Sequence, residues 1–191
     1  LYVRFINLNC NDDNSPTYEN VERCLMNFKT NFCDRFYNLS PRVCIYDLDG
    51  TIINSSHRIK LREDGSLDLE HWKNNSTKDM IFQDTLLPLY ETLKWDYKNG
   101  NFVVLCTARE LGKWDLEYIH SMGIYYDKII SRPKGNITID HVLKARQLKY
   151  FWQLKPFQKL HKIFYDDNLN NLQAIDKLGS GIVVDANKLN A

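Results

Sequence analysis

The chain has 191 residues, of which 43% are hydrophobic and 26% are charged, as in ordinary globular proteins. This composition excludes a largely disordered chain, and the length suits one domain with an appendage. The formal net charge of +1 excludes a general attraction to nucleic acids or membranes, so any basic surface must be local. No apolar run reaches the ~20 residues of a membrane-spanning helix, and no signal-peptide pattern opens the chain. The five scattered cysteines favour free thiols over disulfides or zinc.

Residues 1–41 are predicted to form an extension to the main domain. Residues 1–8 alternate apolar and polar side chains, as an edge strand does. Residues 17–37 place apolar side chains at nearly helical spacing, which predicts a helix. No catalytic pattern occurs here, so we expect this segment to pack against the main domain or to bind a protein partner.

The most informative stretch follows directly. The apolar, β-prone run Val43–Tyr46 ends in Asp47 and Asp49, and then in Gly50 and Thr51. This pattern predicts a buried strand that delivers carboxylates to its C-terminal end, where open α/β sheets bind ligands.

Strands and helices alternate through the rest of the chain, which predicts a parallel sheet flanked by helices and places residues 42–191 in one α/β domain. Residues 52–83 are polar and contain turn signals, and we expect them to form a short flap rather than a large cap. The predicted strands are 102–106, 127–131, 162–165 and 181–184, and the predicted helices are 84–98, 114–122, 139–154 and 168–178.

Polar residues also follow two later strands. Thr107, Ala108 and Arg109 follow the strand at 102–106, and Asp166 and Asp167 follow the strand at 162–165. A further cation lies between these two groups, at Lys144 in a predicted helix. Together with the stretch around Asp47, these groups resemble the four motifs of the haloacid dehalogenase (HAD) superfamily, in the required order. The resemblance implies a Rossmann-like HAD fold with a minimal cap, and phosphohydrolase activity.

The resemblance also implies roles for these residues. Asp47 would attack phosphorus and form an aspartyl-phosphate, and Asp49 would protonate the leaving oxygen and then activate water. Thr107 would bind a phosphoryl oxygen, and Lys144 would neutralise the phosphate. Three other cations compete with Lys144 for that role: Arg132, Lys134 and Arg146.

A Mg²⁺ site is part of the same resemblance, and hard oxygen ligands suit this ion. The expected ligands are the Asp47 carboxylate, the Asp49 backbone carbonyl and one of Asp166 and Asp167. We favour Asp167 as the direct ligand with Asp166 in support, and the reverse assignment stays open. The alternative for these acids is to cap the following helix.

A closer resemblance is to the phosphatase domain of phage polynucleotide kinases, which removes 3′-phosphates from nucleic-acid ends. Asp68–Glu70, Thr107–Glu110 and Asp140–Lys144 are similar to stretches of that domain. Two departures stand out: Asn168 replaces an arginine, and no GxxxxGK[ST] phosphate-binding loop for a kinase occurs. The residues expected around the substrate phosphate are Gly50, Thr51, Ala108, Arg109 and Arg132.

These observations lead to one main hypothesis and two alternatives. The main one is a Mg²⁺-dependent phosphomonoester hydrolase that acts on a nucleic-acid 3′-terminal phosphate or on nucleotides. The first alternative is a 5′-nucleotidase or another small-molecule phosphatase. The second is a HAD-fold binding or structural subunit. We expect a cytoplasmic location, in the host cytoplasm if the chain is viral.

Overall fold

The structure is a computed structural model that describes residues 42–63, 67–179 and 181–191. The strand and helix predicted within residues 1–41 lie outside the described residues, and their role stays a prediction. Within the described ranges, no helix is both long enough and apolar enough to cross a lipid bilayer.

Five parallel strands form the main sheet, in the order β5-β4-β1-β6-β7, and two short antiparallel strands, β2 and β3, form a separate pair. The predicted parallel sheet is therefore confirmed. The strands of the described chain are β1 (Arg42–Tyr46), β2 (Ile53–Asn54), β3 (Thr85–Leu86), β4 (Phe102–Cys106), β5 (Lys128–Ile130), β6 (His161–Asp166) and β7 (Ile182–Asp185).

Helices connect these strands, as the alternating pattern predicts. Alternate residues of β1 face opposite sides of the sheet, and Cys44 and Tyr46 join Leu89, Leu93 and Tyr118 in one buried cluster. The helices of the described chain are α1 (Leu69–Asn74), α2 (Lys78–Ile81), α3 (Leu89–Lys98), α4 (Lys113–Ser121), α5 (Asp140–Gln153), α6 (Lys155–Gln158) and α7 (Leu169–Asp176).

One predicted boundary is wrong. The helix predicted from residue 84 begins only at Leu89, and Thr85–Leu86 forms β3 instead. Pro88 explains the difference, because the residue before a proline avoids helical backbone angles, whereas proline suits the start of a helix. Because β3 pairs with β2, the two ends of the segment between Thr51 and Leu87 lie next to each other.

The predicted flap region contains little regular structure. Between β2 and β3 lie a 3₁₀ turn at Ser56–Arg58 and the short helices α1 and α2. One buried ion pair anchors the turn, because the Arg58 guanidinium donates to Asp84 from Nε (2.9 Å) and from Nη2 (2.6 Å).

The position of β1 determines where a ligand can bind. This strand lies at the centre of the sheet, parallel to both β4 and β6. The chain leaves β1 towards β4 and later crosses to β6 on the other side, so a crevice opens at the carboxyl ends of these strands. The acidic and basic residues singled out from the sequence follow these strand ends.

Candidate active site

A buried lysine joins two acidic strand ends. Lys144 Nζ lies 2.8 Å from Asp47 Oδ1 and 2.7 Å from Asp166 Oδ2, and the Lys144 side chain is only 1% exposed. Burial opposes the lysine charge, but Asp47 and Asp166 outweigh burial and raise the pKa of Lys144. This residue is therefore an ammonium group held between two carboxylates.

Asp166 is surrounded by donors from its own strand end and the next helix. Besides Lys144, it accepts from the Asn168 backbone N–H (2.9 Å) and from Asn171 Nδ2 (2.9 and 3.1 Å). Asn168, not either aspartate, caps α7, with its side chain accepting from the Asn170 N–H. The capping alternative for Asp166 and Asp167 is therefore wrong.

Asp167 approaches the loop after β1 at Gly50. Gly50 has a φ of +75°, and a Cβ atom placed on it would lie 2.7 Å from the Asp167 carboxyl carbon. Only glycine combines this backbone angle with so close an approach. Burial and the nearby Asp166 charge raise the pKa of Asp167 to about 6.

The carboxylates of Asp47, Asp166 and Asp167 form the one group among the described residues with metal-binding geometry, with ligand atoms within 4.8 Å of one another. Burial raises the pKa of Asp47 well above its ordinary value, although Lys144 opposes this effect. Three carboxylates with one ammonium group are short of positive charge, and their hard oxygens suit Mg²⁺. The Thr51 hydroxyl is also buried in this loop without a hydrogen-bond partner in the described structure. These residues fit a Mg²⁺ site.

Asp49 lies in a different environment from Asp47. Its carboxylate accepts from the Ser55 hydroxyl (2.6 Å) and forms a two-point ion pair with Arg109, through Nε (3.0 Å) and Nη2. Burial would raise the pKa of Asp49, but Arg109, the Ser55 hydroxyl and Arg58 together outweigh burial, so the pKa lies below its ordinary value. The Asp49 side chain is therefore held as a carboxylate.

Arg109 belongs to a buried network that sequence reasoning missed. Its Nη1 donates to Asp115 (2.7 Å), and its Nη2 lies 3.9 Å from Asp84, which Arg58 also binds. The Trp72 ring of α1 covers both guanidinium groups, 4.4 Å from Arg58 and 5.2 Å from Arg109. No signal in the sequence pointed to Arg58, because it lies in a polar stretch typical of solvated loops.

Thr107 and Ala108 form the loop after β4. Thr107 is buried, and its hydroxyl accepts from the Arg109 backbone N–H (3.0 Å). Arg132 fastens the next loop to this one, donating from Nε to the Ala108 carbonyl (2.6 Å) and from Nη1 to the Asn136 and Thr138 carbonyls (2.9 and 2.6 Å). Its Nη2 bonds Asp140 (2.5 Å). Arg132 thus organises the rim of the site through backbone carbonyls.

The structure separates the four candidate cations. Lys144 forms an ion pair with Asp47, whereas Arg132 bonds to backbone carbonyls of the loops after β4 and β5. The side chains of Lys134 and Arg146 are exposed. The Asp47 carboxylate, the buried Lys144 ammonium group and the Asp49 carboxylate therefore lie at the carboxyl ends of neighbouring strands, an arrangement of groups that can serve phosphoryl transfer.

Comparison with known proteins extends this picture. A family model described as bacteriophage T5 5′-deoxynucleotidase matches residues 36–191. The 5′-deoxynucleotidase of Escherichia phage T5 is 44% identical over 127 residues, which are 64% of this chain and 49% of that protein. The chain thus spans about half the length of this curated relative.

Solved structures with the same fold share little sequence. A haloacid dehalogenase-like hydrolase from Streptococcus pneumoniae has a TM-score of 0.53 at 13% identity, covering 78% of this chain and 97% of that one. A chain of the Pnkp1/Rnl/Hen1 complex has a TM-score of 0.55 at 19% identity, covering 78% of this chain and 47% of that one. These likenesses confirm the predicted HAD fold.

Proposed function

The chain belongs to the bacteriophage T5 5′-deoxynucleotidase family, and on that premise we propose that it is a Mg²⁺-dependent phosphomonoester hydrolase that acts on nucleotides. The observation that supports this proposal most is the position of Asp47. Its carboxylate lies at the end of the central strand, within 2.8 Å of the Lys144 ammonium group and beside Asp166 and Asp167.

In the first step, an Asp47 oxygen attacks phosphorus and the bond from phosphorus to the leaving oxygen breaks. The products are an aspartyl-phosphate and an alcohol, which takes its proton from Asp49. Lys144 and the Thr107 hydroxyl bind the phosphoryl oxygens in this proposal, Lys144 by charge and Thr107 by hydrogen bonding.

In the second step, Asp49 removes a proton from water while the water oxygen attacks phosphorus. The aspartyl bond breaks, and Asp47 returns to a carboxylate as inorganic phosphate leaves. Arg109 favours the charged form of Asp49, which this step needs. For the first step Asp49 must hold a proton, and protonation weakens its ion pair with Arg109. That guanidinium then becomes available to the substrate phosphate.

The carboxylates of Asp47 and Asp167, with the Asp49 backbone carbonyl, would hold the Mg²⁺ ion. Asp166 serves as a support, because its oxygens already accept from Lys144, Asn168 and Asn171. A bound Mg²⁺ ion supplies neutralising charge for the phosphoryl oxygens and for the crowded carboxylates.

A deoxynucleoside 5′-monophosphate is the substrate that family membership favours. A nucleic-acid 3′-phosphate is the second candidate, supported by the exposed cations Lys134 and Arg146 and by the sequence run Thr107–Glu110. Contacts to a nucleic-acid backbone release counterions, so their benefit decreases as salt rises.

A phosphate-release assay with Mg²⁺ separates these candidates. We expect the highest kcat/KM for deoxynucleoside 5′-monophosphates, with lower values for 3′-monophosphates, 3′-phosphorylated oligonucleotides and p-nitrophenyl phosphate. A salt-sensitive preference for the 3′-phosphorylated oligonucleotide, reduced by Lys134→Glu, would establish the second candidate instead. Lys134 suits this test better than Arg132, which holds the loop carbonyls. No phosphate release from any substrate would leave a binding or structural subunit.

A further inference from the structure

The turn that follows β7 contacts the loops of the candidate active site. It comprises the 3₁₀ turn Ala186–Lys188 and the residues just after it, and the Asn190 backbone N–H donates to the Ala186 carbonyl (3.0 Å). Its two asparagines at positions 187 and 190 reach different loops, and neither asparagine belongs to the four motifs.

Asn187 binds the backbone of the residue that we assign as a metal ligand. Its Nδ2 donates to the Asp167 carbonyl (2.8 Å) and to the Asp185 carboxylate (3.1 Å). Asp185 in turn accepts from the Asn187 backbone N–H (3.1 Å). The end of β7 therefore orients the Asn187 amide towards Asp167.

Asn190 binds the loop that follows β1. Its Nδ2 donates to the Thr51 carbonyl (3.0 Å) and lies 3.4 Å from the Gly50 carbonyl. Its Oδ1 accepts from the Leu89 backbone N–H (2.9 Å), in the first turn of α3, where Pro88 provides no side-chain cap. The Asn190 side-chain amide thus accepts from a backbone N–H at the start of α3 and donates to the carbonyls of the loop after β1.

These contacts lie on both sides of the place where Gly50 packs against Asp167. Asn190 donates to the loop that contains Gly50, and Asn187 donates to the Asp167 carbonyl. Asn190 also joins the two ends of the insert, because the chain departs after Thr51 and returns at Leu87, which donates to the Ile52 carbonyl (2.9 Å).

We propose that Asn187 and Asn190 are positioning residues that set the distance between the loop after β1 and Asp167, and thereby the affinity of the acidic cluster for Mg²⁺. This inference rests on the proposed function. Partners that orient metal ligands typically change metal affinity by about 10- to 100-fold when they are removed. A residue with only a structural role would lower the melting temperature without changing the Mg²⁺ response.

The variant Asn190→Asp separates the two bonding partners of Asn190. It keeps the acceptor for the Leu89 N–H but removes the donor to the Thr51 carbonyl. Asn187→Ala removes the bond to the Asp167 carbonyl. Asn99→Ala is the matched control, because Asn99 Nδ2 also donates to a backbone carbonyl (Trp95, 2.7 Å), but at the far end of the same helix α3.

Two measurements follow for each variant: the rise in melting temperature on Mg²⁺ addition, and the Mg²⁺ concentration for half-maximal phosphate release. We expect Asn190→Asp and Asn187→Ala to raise that concentration about tenfold and to need more Mg²⁺ for the same thermal shift. Asn99→Ala should match wild type in both. Unchanged Mg²⁺ responses in both folded test variants would overturn the inference. A wild-type protein that neither releases phosphate nor responds to Mg²⁺ would refute the proposed function, and this inference with it.

Discussion

The candidate active site has two halves that differ in how far their carboxylates are neutralised. In the acidic half, the three carboxylates of Asp47, Asp166 and Asp167 lie close together, and the single ammonium group of Lys144 pairs with the first two. In the arginine half, Asp49, Asp84 and Asp115 share the guanidinium groups of Arg58 and Arg109. The difference appears in neighbouring residues of one loop, because the pKa of Asp47 is raised while that of Asp49 is lowered.

This contrast indicates a different chemical role for each half. Buried carboxylates without enough positive charge are unstable, and a cation relieves their repulsion. The acidic half therefore has room for the positive charge of a bound cation, whereas the arginine half is neutralised largely by its own side chains. The first half suits phosphate and metal binding, and the second suits control of the Asp49 proton.

The largest expected effect tests the nucleophile of the acidic half. Asp47→Asn keeps the shape of the side chain but removes its nucleophilic oxygen, so phosphate release should decrease by about 10⁴-fold or more. The melting curve should show a folded protein. Asp176→Asn, an exposed change on α7, is the control and should keep wild-type activity. An Asp47→Asn protein with a tenth of wild-type activity would contradict the assignment.

The next test removes one cation from each half. Lys144→Met removes the ammonium partner of Asp47 and Asp166, and Arg58→Met removes the nearest partner of Asp84. Each change should cost about 3 to 5 kcal/mol in the free energy of unfolding. Mg²⁺ should restore more of that loss in Lys144→Met, because the metal ion binds the same carboxylates. Denaturant unfolding with and without Mg²⁺ measures this difference.

Lys149→Met on the exposed face of α5 is the control for that test, and it should change stability by no more than about 0.5 kcal/mol. Equal recovery by Mg²⁺ in the Lys144 and Arg58 variants would contradict the division into two halves.

A third test asks which half binds the ion. Mg²⁺ at about 100 times its Kd should stabilise the wild-type protein by about 2.7 kcal/mol, a rise in Tm of roughly 5–10 °C. Asp167→Ala should lose most of this rise, because it removes a ligand. Asp115→Asn, which removes a partner of Arg109, should keep it. Thermal melts in EDTA and in Mg²⁺ measure this rise in Tm. A wild-type rise in Asp167→Ala would exclude Asp167 as a ligand.

The smallest expected effect concerns the packing of Gly50 against Asp167. Gly50→Ala and Gly179→Ala both place a side chain on a backbone with positive φ, which costs about 1–2 kcal/mol. Only the Gly50 change displaces the Asp167 carboxylate, since nothing lies within 4 Å of a Cβ at Gly179. We therefore expect similar melting temperatures in EDTA but a weaker Mg²⁺ response in Gly50→Ala. Equal Mg²⁺ responses would show that the contact has no bearing on metal binding.

Much of the fold could be predicted from local patterns. Apolar runs and helical spacing indicate strands and helices because backbone geometry repeats every two or 3.6 residues, and these repeats survive in the sequence. The helix begins at Leu89 and not at residue 84, because the local constraint of Pro88 overrides the helical spacing of the apolar residues. The resemblance to the HAD motifs placed Asp47, Thr107 and Asp166 at strand ends, and a parallel sheet necessarily brings such ends to one edge.

The alternating α/β order, the acidic strand ends and the resemblance to the HAD motifs could all be predicted from the sequence, because contiguous residues carry each of them. Only the tertiary structure separated Lys144 from Arg132, Lys134 and Arg146, since the four cations look alike in the sequence. The Arg58–Asp84 pair and the asparagine contacts of the last turn were equally invisible there. The physical reason is that these bonds join residues distant in the chain, and their partners are chosen by how the strands and helices pack.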